Sequence, residues 1–332
     1  MDYNLFGART EAFDLRSLAY EGLRQQFHLV KSKSNNLYYS KLRDVVGVED
    51  GRIFTTLPSA YTNLTASQGD ILYVWPGDHV ITAMVTWAKA DTKLVGIGAE
   101  NQRHQPSTLT TGGIRITCKT TEISYCFTIS GQYVTFENIG TINTAAHASN
   151  LGDILITGRN FNAKKCAFRG GNAAEQVQSA TSGIPVTIST DAYGFKFEEC
   201  ELGSAGNATR TTGPGFARFA AGAGGAGMFD KCAFSMRSET TGANPSGFTV
   251  EETALDRLLT FRNGCTFYNF SENWGALPDY LFNIDQTTTF DILIDSTCMM
   301  AGFDIVSDSA RVKVLGAAPN SAAVETVAVA TS

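Results

Sequence analysis

The sequence predicts an all-β solenoid of stacked coils, each about 33 residues long, and three observations carry that expectation. First, one phrase recurs through the second half of the chain. It reads Lys164-Lys165-Cys166-Ala167-Phe168, Glu198-Glu199-Cys200-Glu201-Leu202, Asp230-Lys231-Cys232-Ala233-Phe234, Asn263-Gly264-Cys265-Thr266-Phe267 and Ser296-Thr297-Cys298-Met299-Met300. Its cysteines are 34, 32, 33 and 33 residues apart. Second, the residue two beyond each cysteine is apolar (Phe168, Leu202, Phe234, Phe267, Met300). Another apolar residue lies three to five before it (Phe161, Phe197, Phe229, Phe261, Ile294). Residues i and i+2 of a strand share a face, so each cysteine and its apolar partner point together into a core. Third, the apolar stretches are short and strand-like, and a polar turn of two or three residues separates the two apolar positions. No such unit buries its apolar face alone. Stacked at about 4.8 Å, like residues form ladders along a shared core.

The composition suits this. Only 17% of the 332 residues are charged and 32 are glycine, as a β protein with many turns requires. The net charge is −6, which disfavours nucleic-acid binding driven by bulk charge. No apolar run reaches the roughly 18 residues that cross a bilayer. Met1-Asp2-Tyr3-Asn4 does not open a secretion signal, so neither a membrane partner nor export is expected.

Five of the seven cysteines lie on the ladder; Cys118 and Cys126 precede it. Coil spacing falls within disulfide range, so pairing between coils is one reading. The other is a stack of reduced, buried thiols acting as small apolar residues, which fits a reducing cytoplasm. No C-x-x-C occurs, and neither a metal nor another cofactor is expected.

Taken in order, residues 1–50 do not look like solenoid. Arg9 to Phe27 places Phe13, Leu15, Leu18, Leu23 and Phe27 among Glu, Arg and Gln, which predicts an amphipathic helix. An exposed turn at Lys31–Asn36 follows, then mixed apolar and basic residues from Leu37 to Val48. The segment reads as a cap over the open end of the core, as an arm that docks on another subunit, or as both. In the arm reading Phe13, Leu18, Leu23 and Phe27 are the contact residues.

Next comes Ser67-Gln68-Gly69-Asp70-Ile71-Leu72-Tyr73-Val74-Trp75-Pro76-Gly77-Asp78-His79, followed by Lys93-Leu94-Val95-Gly96-Ile97-Gly98. The match at Gly69, Asp70, Ile71, Val74, Pro76, Gly77, Leu94, Gly96 and Gly98 resembles the opening coil of the pectate-lyase-like superfamily. That resemblance implies a single-stranded right-handed parallel β-helix over residues 51–316, with an extended tail at 317–332. It implies little about activity, because this superfold hosts enzymes, adhesins and virion proteins alike.

Further strands are expected at Gly113–Ile116, Cys126–Ile129, Tyr133–Phe136, Asp153–Ile156 and Pro185–Ile188, with Ile139 in a cysteine position. From Gly69 to Leu315 there is room for about seven coils, a rod on the order of 35 Å. Loops at Arg169–Gly183, Gly203–Gly227, Arg237–Gly247 and Asn269–Pro278 each follow a ladder phrase and so leave one corner of the solenoid. Insertions on one face often mark the binding face. Phe216, Phe219, Trp274 and Tyr280 there either contact a partner or cover the solenoid side. In the tail, Val324–Val329 alternates as a strand does.

The superfamily's polysaccharide hydrolases carry paired aspartates with Gly-His-Gly and Arg-x-Lys. No Gly-His-Gly occurs here, and His28, His79, His104 and His147 are scattered. Its lyases need carboxylates holding calcium beside a basic residue. The nearest equivalents are Glu198, Glu199, Asp230 and Lys231, with Glu199 and Asp230 as the catalytic candidates. Because Lys164 and Lys165 sit one coil earlier, the same residues also read as a solvated salt-bridge edge. Gly222–Gly227 fits G-x-G-x-x-G, but Met228-Phe229 follows as a strand where a nucleotide site needs a helix. Thr108–Thr111 and Asp285–Thr289 are threonine-rich edges that suit either sugar binding or solubility.

The resemblance, the low charge, the missing export signal and the terminal arms together imply a non-enzymatic bacteriophage virion protein, made in the host cytoplasm and carried on the particle surface. The first expectation is a capsid decoration or cement protein that docks on the major capsid protein through residues 1–50. The alternative is a tail spike or fibre that binds host surface polysaccharide, with or without cleaving it. A second alternative is a polysaccharide lyase or hydrolase. Side-by-side homotrimers are a further implication of the resemblance.

Overall fold

The computed structural model describes residues 25–315, apart from 99–112, 121–122, 146, 172–175, 177, 179, 190, 204–208, 224, 252–257, 271–275 and 286–290. The expectations for Phe13, Leu18, Leu23, Trp274, His104, Thr108–Thr111 and the 317–332 tail lie outside the described residues.

Three sheets, every pairing in them parallel, wrap one core. The chain visits them in rotation, which is the signature of a parallel β-helix. Sheet A takes Ile71–Val74, sheet B takes Gly77–Ile81 and sheet C takes Val85–Trp87 to close coil 1. Coil 2 is Lys93–Gly96, Ile114–Cys118 and Tyr125–Ile129; coil 3 is Thr135–Glu137, Gly140–Asn143 and Gly152–Ile156. Coil 4 is Asn162–Lys164, Ala167–Gly171 and Ile184–Ile188; coil 5 is Lys196–Glu198, Glu201–Gly203 and Pro214–Phe219. Coil 6 is Gly227–Asp230, Ala233–Met236 and Ser246–Val250; coil 7 is Leu259–Arg262, Thr266–Asn269 and Phe282–Ile284. Ile292–Ile294, Met299–Ala301 and Val312–Val314 add further rungs to sheets A and B.

Register follows from alternation. In sheet A the inward column runs Leu72, Leu94, Phe136, Ala163, Phe197, Phe229, Phe261, Ile294 and Val314. The rung residue of the first ladder phrase is therefore Ala163, not Phe161. Alanine leaves room on that rung, and Phe161 enters it from the corner, 5.5 Å from Phe136 and 5.8 Å from Phe197. Elsewhere the rungs stack ring on ring: Phe197–Phe229 and Phe229–Phe261 at 4.9 Å, Phe234–Phe267 at 5.0 Å and Phe248–Phe282 at 4.6 Å. Each such pair contributes about 0.5–1.5 kcal/mol beyond its buried area.

The recurring phrase is the A–B corner. Asn138, Lys165, Glu199 and Lys231 turn the chain with φ of 53–54°, a left-handed conformation that costs an L-residue about 1–2 kcal/mol. The next residue (Ile139, Cys166, Cys200, Cys232), and likewise Cys265 after Gly264 at φ 81°, plugs the corner from inside, buried. Each thiol reaches a main-chain carbonyl of the preceding coil. Cys166 meets Phe136 and Cys200 meets Ala163 at 3.4 Å; Cys265 meets Phe229 at 3.5 Å. All seven cysteines are free thiols. Coil repetition positions them, and burial pushes the Cys200 and Cys232 thiols well above their ordinary pKa.

At the N-terminal end, Gln26–Leu29 is a strand of sheet A, between Ile53–Phe54 and Ile71–Val74. This corrects the expectation for Phe27. It is not the last turn of a helix but a buried strand residue, 6.1 Å from Phe54, unavailable to a partner in this structure. Backbone bonding to the edge of coil 1 outweighs local helical periodicity here. The helix Leu57–Asn63 buries Leu57 and Ala60 over the end of the core, with Leu64 just beyond it, and Tyr61 packs 4.8 Å from Trp87. Asp70 of the opening motif ties these pieces together by accepting from Gln25 N at 3.1 Å and Thr65 N at 2.7 Å. A second, smaller core of Val30, Leu42, Ile53, Ile71, Tyr73, Trp75 and Ile97 lies outside sheet A. Among the described residues no helix is long and apolar enough to cross a membrane.

Candidate functional site

The expected loop 203–227 contains the strand Pro214–Phe219, and Phe216 and Phe219 are core residues of sheet C. They are not surface contacts: alternation turns Phe219 inward with Ala217, and the register shift between Pro214 and Ala217 brings Phe216 into the core as well. Tyr280 is half-buried at the B–C corner, bridged to Ile305. What the Pro214–Phe219 strand turns outward is Arg218, and its register defines the outward column of sheet C.

On sheet C the outward column reads Thr86, Thr128, Leu155, Thr187, Arg218, Thr249 and Asn283, one residue per coil. Each is flanked by inward apolar residues, as in Val85-Thr86-Trp87, Phe127-Thr128-Ile129, Val186-Thr187-Ile188 and Phe248-Thr249-Val250. This apolar–threonine–apolar phrase recurs in the sequence as plainly as the cysteines do. It is the signal that would have revealed the face. Just beyond the strands stand Glu251 and Asp285, on neighbouring coils and one residue past the paired Val250 and Ile284.

Arg218 grips Glu251 at two points, Nε to Oε1 at 2.7 Å and Nη2 to Oε2 at 3.0 Å. The Ala221 N–H donates to the same carboxylate at 3.3 Å. Thr249 lies 3.2 Å from the Ser246 hydroxyl, and Asn283 donates to the Ala243 carbonyl at 2.9 Å. Behind them Tyr125 is buried beside Thr187, and burial raises its phenol above the ordinary value. Ala221, Thr249, Val250, Glu251, Asn283 and Asp285 wall a cleft of about 390 Å³, open to solvent. The arrangement offers hydroxyls, a guanidinium–carboxylate pair, an amide and a second carboxylate. That set suits hydrogen bonding to a polyhydroxylated ligand.

The B–C corner holds this face rigid through buried polar groups. The Arg210 guanidinium, fully buried, donates to the carbonyls of Gly183 at 3.0 Å, Thr212 at 3.1 Å and Ser182 at 3.3 Å. Burial lowers its pKa to about 10. Asp153 is buried in the same corner, where its carboxylate accepts from Thr141 Oγ1 at 2.8 Å and Gly170 N at 2.9 Å. Burial pushes it up to about 7 despite those bonds.

The catalytic candidates lie elsewhere, at the A–B corner. Glu199 is the left-handed turn residue, and its N–H donates to the Asp230 carbonyl at 2.8 Å. The Asp230 side chain accepts from Arg262 at 2.8 Å and Asn263 at 2.9 Å. Burial raises its carboxyl, but those two partners outweigh burial and hold it below the ordinary range. Glu137, Lys164, Glu198, Asp230 and Arg262 form one outward column of sheet A. The geometry is that of a mixed-charge ladder. Among the described residues no three His, Cys, Asp or Glu side chains converge as a metal-binding group.

No known family model matches the sequence, and no curated protein does. Solved structures do. A mutant pectin methylesterase in complex with a hexasaccharide is 14% identical, with 87% of this chain and 80% of that one covered at a TM-score of 0.51. The Erwinia chrysanthemi pectin methylesterase is 13% identical, with 86% and 67% covered at 0.41. A tailspike protein from an Acinetobacter baumannii bacteriophage, a capsular polysaccharide depolymerase, is 12% identical, with 89% and 63% covered at 0.29. The first likeness and the three all-parallel sheets agree on the architecture: the chain is a right-handed parallel β-helix.

Proposed function

We propose that this chain binds a polysaccharide along the outer face of sheet C, as the host-glycan-binding β-helix of a phage tail spike. The observation that carries the binding reading is the cleft of Thr249, Glu251, Asn283 and Asp285, at the end of an outward column that holds threonine on four of seven coils, with Thr86, Thr128 and Thr249 open to solvent and Thr187 buried. Short hydroxyls and planar hydrogen-bonding groups on a rigid sheet match the rim of a sugar ring without an ordering cost. The similarly folded pectin methylesterase was captured with a hexasaccharide; for this chain the reading rests on its own groove. The Glu251 carboxylate is engaged by Arg218, which suits recognition rather than proton transfer. The tail-spike setting extends the sequence resemblance to virion surface β-helices, and it displaces the capsid-docking expectation. Of the contact residues that expectation named, Phe27 is buried and the others lie outside the described residues.

The test is an array of bacterial capsular and O-antigen polysaccharides probed with the purified full chain. Binding that Arg218→Ala and Asn283→Ala weaken at least tenfold supports the reading. A chain that binds none of them overturns it. The setting is tested by locating the chain in purified particles: a few copies at the tail support a spike, and many on the head restore the decoration alternative.

A further inference from the structure

We infer that the binding line continues beyond the cleft to a second subsite at Tyr133, where a sugar ring stacks while Arg159, seated on Tyr193, takes its acceptor groups. This rests on the polysaccharide reading above and extends it to a ligand lying parallel to the helix axis. The path is the C–A corner, where the chain leaves sheet C. Going up the solenoid, that corner presents Tyr133, Arg159 and Tyr193 on successive coils, then Ala221, Glu251 and Asp285 on the next three. The first three are tied coil to coil by main-chain bonds, Tyr133 N to Arg159 O at 3.0 Å and Asn160 N to Tyr193 O at 2.9 Å. The last three wall the cleft. Five coil steps separate Tyr133 from Asp285, about 24 Å at the parallel-strand spacing.

Tyr133 is the anomaly that marks the subsite. Asp91, Tyr133, Asn160, Gly194 and Ala226 occupy the equivalent left-handed position on successive coils, with φ of 51°, 57°, 57°, 72° and 60°. Asp, Asn and Gly suit that conformation and alanine brings only a methyl; Tyr133 is the bulky side chain of the column. Packing does not compensate, because Tyr133 is 60% exposed. Strain at an exposed aromatic with no return in burial points to a role outside the fold. One coil on, the Arg159 guanidinium lies 4.3 Å from the centre of the Tyr193 ring. A ring beneath a guanidinium fixes its plane and leaves its N–H edge to an acceptor. An aromatic face beside a fixed, planar donor suits a pyranose, which has an apolar C–H face and polar groups around its rim. The ligand class is therefore a polysaccharide segment several sugars long, with a hydroxyl or carboxylate at the Arg159 position.

The experiment titrates the strongest array polysaccharide, intact and as short fragments from partial hydrolysis, against the full-length protein. Tyr133→Ala and Arg159→Ala are expected to weaken the intact polymer at least fivefold, while Tyr133→Phe keeps it. The shortest fragments, held by the cleft alone, should not distinguish Tyr133→Ala from wild type. Tyr133→Gly should weaken binding without lowering the melting temperature, because glycine accepts the positive φ; this separates lost contact from lost fold. If Tyr133→Ala binds intact polymer like wild type while Arg218→Ala does not, the second subsite is wrong and the cleft stands. If wild type binds nothing on the array, the polysaccharide reading fails and the subsite with it.

Discussion

The thiol of Cys232 donates to the main-chain carbonyl of Phe197 on the coil below, across 3.4 Å. The same bond recurs at each cysteine of the ladder, so the thiol both fills the A–B corner and bonds one coil to the next. Cys232→Ala removes both functions and should destabilise the protein by about 1–2 kcal/mol. The midpoint of urea unfolding measures it. A thiol reagent should label Cys166, Cys200, Cys232 and Cys265 only after unfolding, because all four are buried, and burial also keeps the Cys200 and Cys232 thiols protonated. Rapid labelling of the native protein at any of the four would contradict the structure.

Asp153 makes acid the stabilising direction. Its carboxyl titrates near 3.8 when unfolded and at about 7 when folded, chiefly because it is buried. Between those values the folded chain holds a proton that the unfolded chain has released. Stability from this group is therefore complete below the lower value and falls as pH rises through the window. At about 1.4 kcal/mol per unit, the full loss is at most on the order of 4 kcal/mol. Asp153→Asn, which cannot ionise, should flatten that part of the pH–stability curve. An unchanged slope in the variant would assign the dependence to another group.

Arg210 is the keystone of the corner behind the outer face of sheet C. Arg210→Ala strips the carbonyls of Ser182, Gly183 and Thr212 of their buried donor and leaves a cavity. A loss of about 2–4 kcal/mol is expected, visible as a lowered melting temperature. Arg210→Lys should recover only part, since an ammonium cannot reach the same carbonyls in the guanidinium's fixed fork.

The Arg218–Glu251 pair should matter more to ligand than to fold. Both side chains are partly solvated, so breaking the pair costs stability by less than about 1 kcal/mol. Glycan binding should nevertheless fall at least tenfold in Arg218→Ala. Asp230→Ala should do the reverse. It loses its bonds to Arg262 and Asn263, lowers stability modestly and leaves glycan binding unchanged. Isothermal titration and thermal melts on the same two variants separate these outcomes.

What the sequence by itself determined was whatever repeats in one dimension. The cysteine phrase, the apolar residue two beyond it and the Gly69–Gly77 motif predict the coil length, the all-β class and the parallel stacking, because a solenoid writes its architecture as a period. The Val85-Thr86-Trp87 phrase was legible in the same way and locates the outward face of sheet C. Tertiary structure alone decided three things. It drew Phe27 into sheet A, where the backbone edge of coil 1 outweighs helical periodicity. It set Ala163 rather than Phe161 on the rung, since corner length and not the mere presence of an apolar residue sets register. It also brought Glu251, Asn283 and Asp285 into one cleft and set Arg218, 33 residues before Glu251, against its carboxylate. A site that spans coils is assembled by lateral register between strands, and no local pattern in the chain encodes that register.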